Sequence, residues 1–450
     1  MNDKKPTLLH KLTLQNFRFF QTENNVFEFD GENALIYGEN GSGKSSIYKA
    51  FELLIKMSEN PIDIKDFQKH RNIFNLENDD YFLEFNFDGR FPFDLRIDED
   101  HLSLDDSVNE FFTVKPLHIF NPLLDYKKLL KVHYAQEESK INLFSMFELL
   151  LSNYPIKGTD DKKLKDLKEG NVYKKEYLLA FKDITNEILE PVNYFLNKLS
   201  DQSIKLDKID FDEFERSIHL DINFYDEKID VYHIFFNEAR LSALAIAVYF
   251  TCIKQLSQFL IYEELKVLIL DDLLLSLDMS NRMKLLPILR DDFSDFQIIF
   301  LTHDKELFDL YKEKLQWKAF EIYIDDSAEI NKPMLKIGNS DLEKAIEHYA
   351  NKNYDCCAVL LRKESEKLIK QVLPDKEHYD KNCKVLQLGN LLEKAINQAD
   401  KESKELLKQL KTYTKIILNP QAHDDKRPIY SQELKEVIEI IRELKRIIKK

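Results

Sequence analysis

Eight consecutive residues near the start of the chain, 38–45, constrain its fold more than any other stretch. They read Gly-Glu-Asn-Gly-Ser-Gly-Lys-Ser and fit the pattern G-x-x-x-x-G-K-[S/T] at every fixed position. In this pattern the glycines let the backbone turn so that consecutive N–H groups face phosphate oxygens. The lysine reaches the β and γ phosphates, and the serine ligates Mg²⁺. Three of the chain's 9 glycines fall in this window, so an accidental match is the weaker explanation. The sequence therefore predicts a nucleoside triphosphate site.

The residues on both sides of this loop support the same site. Residues 34–37 form an apolar run typical of a buried strand, and 45–55 have the periodicity of a helix whose N-terminal dipole would face the phosphates. We assign phosphate binding to Gly38, Asn40, Gly41, Gly43, Lys44, Ser45 and Ser46. Alternating apolar segments predict an antiparallel, β-rich lobe around the site, at 12–20, 26–30, 81–88 and 93–97.

Composition places the chain among ordinary globular proteins of two or three domains. It has 450 residues, 44% of them hydrophobic, and its longest apolar helical run, 241–253, is too short to predict a membrane span. The net charge of −15 argues against a generally basic protein that coats nucleic acid, although the part from Asp341 onward is slightly basic. The four cysteines show no C-x-x-C spacing and no signal sequence precedes the first strand, so a cytoplasmic location is predicted.

A second apolar run, 267–270, ends in two carboxylates, Asp271 and Asp272. A Mg²⁺-dependent phosphate site needs this arrangement, because the first acid holds the ion and the second polarises the attacking water. The alternative is a solvated pair of acids at the end of a strand. The phosphate-binding loop upstream makes the Mg²⁺ site the stronger hypothesis.

A third apolar run, 297–301, leads to His303, the position of a histidine that senses the γ-phosphate. Ser276 and Asp278 follow the paired acids at the spacing of a D-loop, a segment that contacts a facing nucleotide site. The alternative is that His303 is a core histidine whose hydrogen bonds are all made within the protein. We predict Asp271, Asp272 and His303 as the catalytic residues.

These motifs together resemble the SMC, RecF and ABC class of ATPases, in which two heads enclose two ATP molecules. The resemblance covers about residues 8–325 and includes the opening Leu-Gln-Asn-Phe-Arg at 14–18. It implies ATP and Mg²⁺ as cofactors, with Ser45 and Asp271 as the Mg²⁺ ligands and Arg18 near the nucleotide. It also implies a homodimer, or a higher homo-oligomer, joined through ATP between the heads.

The chain departs from that class at several positions. Asn237, Glu238 and Arg240 stand where the signature motif is expected, with Asn in place of Ser and Ala239 in place of Gly. Asparagine is still a good helix N-cap and can donate to a phosphate. Asp272 is one methylene shorter than the usual glutamate, which predicts slow hydrolysis. No Q-loop glutamine is evident, and Asp125 is the nearest substitute. Such departures are typical of the defence-associated branches of the class.

We expect an α/β fold, an ABC/SMC-type P-loop ATPase head with a helical insertion, followed by an all-α C-terminal domain. Residues 1–122 would form the first part of the head and 123–210 a short helical arm, with charged spacing at 161–176 and apolar spacing at 177–199. Residues 211–335 would complete the head. Pro and Gly near 332–340 predict a boundary, and 340–450 would form the helical domain.

The C-terminal part carries a second candidate site. Arg362 and Glu366 share one face of a predicted helix, and His423 follows the end of a later helix. This order resembles HEPN-like helical domains and the Arg, Glu and His set of PrrC and RloC type anticodon nucleases. The resemblance implies a metal-independent ribonuclease site. A solvated Arg-Glu pair in a docking or dimerisation module is the alternative.

Three functions follow from these expectations. The first is a slowly hydrolysing SMC/RecF-like ATPase that senses DNA or a phage component and switches an effector in anti-phage defence. The second is an ATP-gated ribonuclease that cleaves tRNA, and the third is a RecF-like DNA repair ATPase. DNA, tRNA and a separate effector nuclease are therefore the partners left open, and no membrane is predicted.

Overall fold

The computed structural model divides the chain into two units, Met1–Ile337 and Gly338–Lys450, which are described separately. It describes residues 5–23, 25–75, 80–105, 107–125, 144–156, 162–169, 172–173, 175–200, 202–212, 217–229, 232–273, 277, 279–327, 330–337, 341–381, 384–418 and 428–448.

In the described residues, all the strands lie in the first unit. They are β1 (Leu8–Gln15), β2 (Val26–Glu28), β3 (Ala34–Gly38), β4 (Phe82–Asp88), β5 (Phe93–Ile97), β6 (Leu123–Asp125), β7 (Lys168–Glu169), β8 (Val172–Tyr173), β9 (Ile204–Asp212), β10 (Ser217–Phe224), β11 (Glu227–Ile229), β12 (Val267–Asp271), β13 (Gln297–Thr302), β14 (Lys318–Asp325) and β15 (Lys332–Ile337).

The α-helices occur in both units. They are α1 (Lys44–Glu59), α2 (Ile64–Gln68), α3 (Leu117–Phe120), α4 (Phe144–Leu151), α5 (Lys175–Ser200), α6 (Tyr232–Phe235), α7 (Glu238–Ser257), α8 (Met279–Pro287), α9 (Lys305–Leu315), α10 (Asp341–Ala350), α11 (Tyr354–Val372), α12 (Leu388–Gln398), α13 (Lys401–Tyr413) and α14 (Ser431–Ile448). Single π-helical turns extend α8 and α13, at Ile288–Asp292 and Thr414–Leu418.

A six-stranded sheet in the order β15-β14-β3-β13-β12-β6 forms the centre of the first unit. Its strands are parallel except β15, which pairs antiparallel with β14 at one edge. Strands β3 and β13 are buried along their whole length, as is β12 up to Asp271, which explains their continuous apolar runs. Parallel strands end at one edge of a sheet, so the segments that follow β3, β12 and β13 lie near one another.

The predicted antiparallel lobe is present as a second sheet in the order β2-β1-β4-β5. Alternate residues of β4 are buried, as expected for a sheet with one face on the core. The aromatic residues of this lobe pack closely, with Phe85 5.8 Å from Phe51 of α1 between ring centroids. The sheet therefore supports the helix that follows the phosphate-binding loop.

The stretch predicted as a helical arm has mixed structure. Residues Leu123–Asp125 form β6 of the central sheet, and α5 packs against α7 and β9. The charged spacing at 161–176 predicted a helix, and this was wrong for most of the described residues. Leu164–Leu167 form a 3₁₀ turn and the short strands β7 and β8 pair antiparallel, while Lys175 and Glu176 begin α5. Strand β9 pairs with β10 in a separate three-stranded sheet.

Helix α7 runs through the core of the first unit. It spans Glu238–Ser257, 20 residues, and by length and composition alone it could cross a membrane, so the expectation that this run is too short was wrong. However, 78% of its most apolar window is buried inside the protein. Burial on all sides explains an apolar surface all round the helix without any membrane.

The segment predicted as an interdomain boundary, 332–340, begins with a strand. Lys332–Ile337 form β15, and Pro333 lies opposite Ile324 of β14. Proline is tolerated there because an edge strand has a side that needs no ladder hydrogen bond. This strand belongs to the first unit, and the second unit starts at Gly338.

In the described residues the second unit is all-α, with its own core of side chains from α10 to α14. Leu361, Leu391 and Ile441 are fully buried in this core. Glu364 of α11 is buried as well, and its charge is balanced by an ion pair with Lys445 of α14. The expected α/β class with a helical C-terminal part is thus confirmed.

Candidate nucleotide site

The phosphate-binding loop connects β3 to α1 with glycines at the positions that need them. Gly41 and Gly43 have φ values of 84° and 113°, which side chains disfavour. Gly38 has no room for a larger residue, since a Cβ there would lie 2.4 Å from Ser42 Oγ and 2.8 Å from Lys44 Cγ. The loop therefore has its tight turn because of these three glycines.

Lys44 is folded back over this loop. Its Nζ donates to the carbonyl oxygens of Gly38 at 2.6 Å and Glu39 at 3.4 Å, and the residue is only 7% exposed. Burial lowers the pKa of Lys44, while the carboxylates of Asp272 and Asp271 oppose that shift. A buried ammonium held between carbonyl dipoles and two acids is suited to exchange those partners for phosphate oxygens.

The start of α1 presents groups that suit an anion. The helix begins at Lys44 after Gly43, so its first-turn N–H groups lack the i−4 acceptors that N–H groups farther along the helix have. The Ser42 Oγ is fully buried and makes no hydrogen bond in the described part of the chain. Ser45 is exposed and Ser46 is buried, its N–H donating to Gly43 O at 2.8 Å. Asn40 lies in the exposed turn.

The two adjacent acids follow different courses at the end of β12. Asp271 is paired in register with Leu301 of β13 and with Asp125 of β6. Asp272 leaves the strand with φ 49°, and its N–H donates to Leu301 O at 3.0 Å. Asp271 thus belongs to β12, and Asp272 turns towards the end of β13.

His303 meets Asp272 at that point. Its backbone N–H donates to Asp272 Oδ1 at 2.9 Å, and its Nδ1 lies 2.8 Å from the same oxygen. Both side chains are partly exposed, at 30% for His303 and 21% for Asp272. The structure therefore brings the predicted histidine and the second acid together.

Asp125 lies beside the first acid, at the edge of the sheet. Burial raises the pKa of the Tyr48 hydroxyl, and the carboxylates of Asp125 and Asp271 add to this effect. Tyr48 belongs to α1, four residues after Lys44. The helix, the loop and the ends of β6 and β12 therefore form one electrostatic environment.

The donor set fits Mg²⁺ bound together with phosphate. In the described ranges no three His, Cys, Asp or Glu side chains converge as a metal site. Mg²⁺ in nucleotide sites takes one or two protein oxygens and completes its shell with water and phosphate. The Ser45 hydroxyl and the Asp271 carboxylate are hard oxygen donors of this kind.

Arg18 is the residue that the sequence predicts to lie near the nucleotide. Arg18 has φ 52°, and its side chain approaches His70, with Nη1 3.5 Å from Nδ1. The ring of Phe20, two residues later, lies beside Gly43, where it would be 3.0 Å from an added Cβ, and so links this turn to the loop. Arg18 is exposed beside the loop and makes no described contact with Lys44.

The signature-like segment forms the start of α7. Asn237 is the N-cap, and its side chain accepts from the Arg240 N–H at 3.0 Å, as predicted for asparagine at this position. Arg240 lies over the ring of Phe224, 4.6 Å from its centroid. In the parts of the chain described, no hydrogen bond or ion pair joins Asn237, Glu238 or Arg240 to the phosphate-binding loop.

The sequence analysis did not identify Arg282, which connects two parts of the site. Its Nε donates to Leu277 O at 2.7 Å, and its guanidinium forms an ion pair with Asp304. Asp304 follows His303 and caps α9 through the Leu307 N–H at 3.0 Å. Arginine in a helix carries no sequence signal of this role. Ser276 and Asp278, on either side of Leu277, lie outside the described residues.

The second candidate site is only partly described. Arg362 and Glu366 both lie on α11, and Glu366 pairs with Lys370 at 2.8 Å. The Arg362 Nη1 is buried and makes no hydrogen bond among the described residues. His423 lies outside the described residues, so the arrangement of these three residues stays a prediction.

Comparison with known proteins gives similar structures only. No protein-family model matches the chain, and no curated protein matches it. Three solved structures are similar over about three quarters of this chain. They are an SmcHead bound to the C-winged helix domain of ScpA (14% identity, 76% of this chain and 99% of that one, TM-score 0.45), an Smc head domain with an extended coiled coil bound to the C-terminal domain of ScpA from Pyrococcus furiosus (13%, 77% and 100%, 0.37), and the SMC head domain from Thermotoga maritima (13%, 74% and 99%, 0.38).

Proposed function

We propose that this chain binds ATP with Mg²⁺ and hydrolyses it slowly. The observation that carries the proposal is the convergence of Lys44, Asp271 and the Asp272–His303 pair at the carboxyl edge of one parallel sheet. Ligands of open α/β sheets bind at this edge. ATP rather than another nucleoside triphosphate rests on the resemblance to the SMC, RecF and ABC class.

The residues have separate tasks in this proposal. Lys44 exchanges the carbonyls of Gly38 and Glu39 for the β and γ phosphates, and the first turn of α1 binds the same group through its N–H donors. Ser45 and Asp271 would hold Mg²⁺, which supplies charge neutralisation on the phosphates when bound. Asp272 and His303 orient the attacking water and take up its proton.

Slow turnover follows from the position of Asp272. Its Oδ1 already accepts two hydrogen bonds from His303, so the carboxylate is shared between the histidine and water. Aspartate also reaches one methylene less far than glutamate. A general base that is misplaced by about 1 Å loses on the order of 10²-fold in rate.

A pair of lysine variants tests nucleotide binding. Lys44→Ala should abolish tight ATP binding, because the side chain that faces the phosphates is removed. Lys49→Ala is the matched control, since Lys49 lies on the same helix and pairs with Glu52 at 2.7 Å on its surface. Equal ATP affinity of Lys44→Ala and the parent protein, measured by calorimetry, would refute the proposal.

We further propose that ATP joins two heads and that the joined state controls an effector in anti-phage defence. This step rests on the class resemblance and on Asn237, which caps α7 and is exposed where a facing γ-phosphate would be met. With ATP, light scattering should show a dimer of the Asp272→Asn variant, and the Asn237→Leu substitution should prevent that dimer from forming.

ATP turnover that does not respond to any DNA or phage extract would argue against sensing. Damage sensitivity of a deletion strain without a phage phenotype would favour DNA repair.

One observation favours the ribonuclease as a second candidate. The buried Arg362 Nη1 makes no hydrogen bond among the described residues, and an unused buried guanidinium donor is suited to a phosphate anion. Cleavage of total tRNA that is lost in both Arg362→Ala and His423→Ala would support it. Cleavage that persists in either variant would place the activity elsewhere.

A further inference from the structure

A second cavity of the first unit lies at the opposite end of the central sheet. Asn33, Lys266, Gln297 and Trp317 line it, and each stands at or directly before the first residue of β3, β12, β13 or β14. The nucleotide site lies at the carboxyl ends of the same strands. Strand β3 has five residues, so roughly 15 Å of sheet separates the two sites.

The cavity has the size and the lining of a ligand site. Its volume is about 550 Å³, within the range of roughly 300–1,000 Å³ typical of small-ligand sites. Aromatic and apolar side chains from separate segments contribute to the lining, namely Leu8, Tyr262, Phe296 and Trp317. Tyr262 is 58% exposed, and so offers an aromatic surface to solvent.

Three acidic residues and one lysine line this cavity. Asp295 pairs with Lys266 at 3.1 Å and with Lys254 at 2.8 Å, so both lysines are used by one acid. Glu32 and Glu264 also line the cavity, and in the described ranges neither makes an ion pair. Lys266 also lowers the pKa of Glu264 through its charge, but its ion pair is with Asp295, so the two glutamates have no ion pair of their own in the described ranges.

Glu264 is the more constrained of these two acids. Its Oε2 accepts a hydrogen bond from the Ile261 N–H at 2.8 Å, which fixes the carboxylate beside Tyr262. Burial raises the pKa of Glu264 and the charge of Glu263 adds to this effect, while the hydrogen bond from the Ile261 N–H and the charge of Lys266 oppose it. A half-buried carboxylate in this condition gains when a cation approaches it.

We propose that this cavity binds a cation carried on an apolar or aromatic body. An ammonium or guanidinium group would meet Glu264 and Glu32, while its apolar part would lie against Trp317 and Tyr262, where cation–π attraction adds to ion pairing. A small organic amine and a basic side chain of a peptide share this chemistry. The inference concerns the opposite edge of the sheet and does not depend on the proposed ATPase activity.

Trp317 provides the test, because it is the only tryptophan in the chain and lines the cavity. The full-length protein is titrated with phenethylguanidinium, with neutral phenethylurea and with anionic 3-phenylpropionate, while tryptophan fluorescence is recorded. We expect saturable binding of the cation, about tenfold tighter than the other two probes. No saturable change, or equal binding of all three probes, would overturn the proposal.

Matched variants locate the site. Glu264→Gln should weaken binding of phenethylguanidinium at least about fivefold, by removing the charge and retaining the shape. Glu313→Gln, at an exposed position of α9 outside the cavity, and Lys44→Ala, in the other site, should leave this affinity unchanged. Unchanged affinity in Glu264→Gln would refute the assignment.

A capped Phe-Arg dipeptide distinguishes the two sources of the cation. Binding tighter than that of phenethylguanidinium indicates a site for a basic peptide, since backbone groups then add contacts. Equal or weaker binding indicates a small amine. Calorimetry gives the same comparison for variants in which the fluorescence signal changes.

Discussion

Asp272 accepts two hydrogen bonds from His303, one from its backbone N–H at 2.9 Å and one from its Nδ1 at 2.8 Å. An ionised carboxylate only accepts, so the ring proton lies on Nδ1, and in the neutral ring Nε2 carries the lone pair. Asp272 reaches this position through a left-handed φ of 49°, which aspartate tolerates better than most residues. The contact fixes the orientation of the imidazole at the edge of the nucleotide site.

Asp272→Asn should separate nucleotide binding from hydrolysis. The amide oxygen can keep both hydrogen bonds from His303, so the fold is retained, while the charge that polarises water is lost. We expect ATP affinity to change little and the turnover number to fall by about 10²–10⁴-fold. Steady-state ATPase assays and calorimetry measure the two quantities. Asp326→Asn, at an exposed position after β14, is the control, and unchanged turnover in Asp272→Asn would exclude the acid from catalysis.

Arg282 should stabilise the same region through its ion pair with Asp304. The side chains are only 13% and 26% exposed. Burial alone would raise the pKa of Asp304, but hydrogen bonds from the Leu307 N–H and from Arg282 outweigh it and hold the pKa below 3.8. We expect Arg282→Met to lower the free energy of unfolding by roughly 1–3 kcal/mol at neutral pH.

The sign of the pH dependence follows from that lowered pKa. The pair stabilises the protein fully above the ordinary aspartate pKa of 3.8 and loses its effect as the pH falls through the lower value in the folded state. The difference between Arg282→Met and the parent protein in urea unfolding should therefore shrink in acid. Arg290→Met is the control, because its pair with Asp291 is exposed and should contribute little. A difference that grows in acid would contradict the assignment.

The sequence predicts the strand, the glycine-rich turn and the helix around residues 38–45 because the constraints on them are local. Gly41 and Gly43 are required by backbone angles within a few residues, and the runs before Asp271 and His303 are buried strands with little alternative. The Asp272–His303 contact joins residues 31 positions apart. Only the pairing of β12 with β13 brings them together, and no spacing in the sequence specifies that pairing.

The boundary predicted at 332–340 contains the observed division after Ile337, but Pro333 itself lies in an edge strand, where its missing N–H costs little. The charged residues around 161–176 satisfied an i,i+4 pattern that polar loops satisfy equally well, and the described residues before Lys175 include a 3₁₀ turn and two short paired strands instead. In both places the tertiary environment, which the local pattern does not contain, decides the structure.

A pair of glycine substitutions should have opposite effects. Gly43→Ala places a side chain at φ 113°, with its Cβ 3.0 Å from the Phe20 ring, and should destabilise the first unit by about 1–2 kcal/mol. Gly389→Ala lies in α12, where a Cβ meets nothing within 4 Å, and should stabilise the second unit by roughly 0.5–1 kcal/mol. Trp317 fluorescence reports unfolding of the first unit, and hydrogen exchange across Leu388–Gln398 reports the second. Destabilisation by both substitutions would contradict the backbone argument.

ATP affinity should fall with rising pH before an ordinary lysine titrates. Burial lowers the pKa of Lys44 from 10.5, so its charge is lost at a lower pH than that of an exposed lysine. Because bound phosphates favour the ammonium, ATP raises this pKa again, and binding takes up protons at a pH near the lowered pKa. Calorimetry in buffers of different ionisation enthalpy measures this uptake.

The carboxylates of Asp272 and Asp271 limit how far the pKa of Lys44 is lowered. They oppose the lowering of the Lys44 pKa, so Asp272→Asn should move the fall in affinity to lower pH. Lys49→Ala should leave the fall in place, since Lys49 lies at the surface of α1 beside Glu52. If Asp272→Asn moves the fall to higher pH, or if binding takes up no protons, Lys44 is not the group that meets the phosphates. If the pH dependence of ATP affinity is unshifted in Asp272→Asn while binding still takes up protons, Asp272 does not influence the pKa of Lys44 in the nucleotide complex.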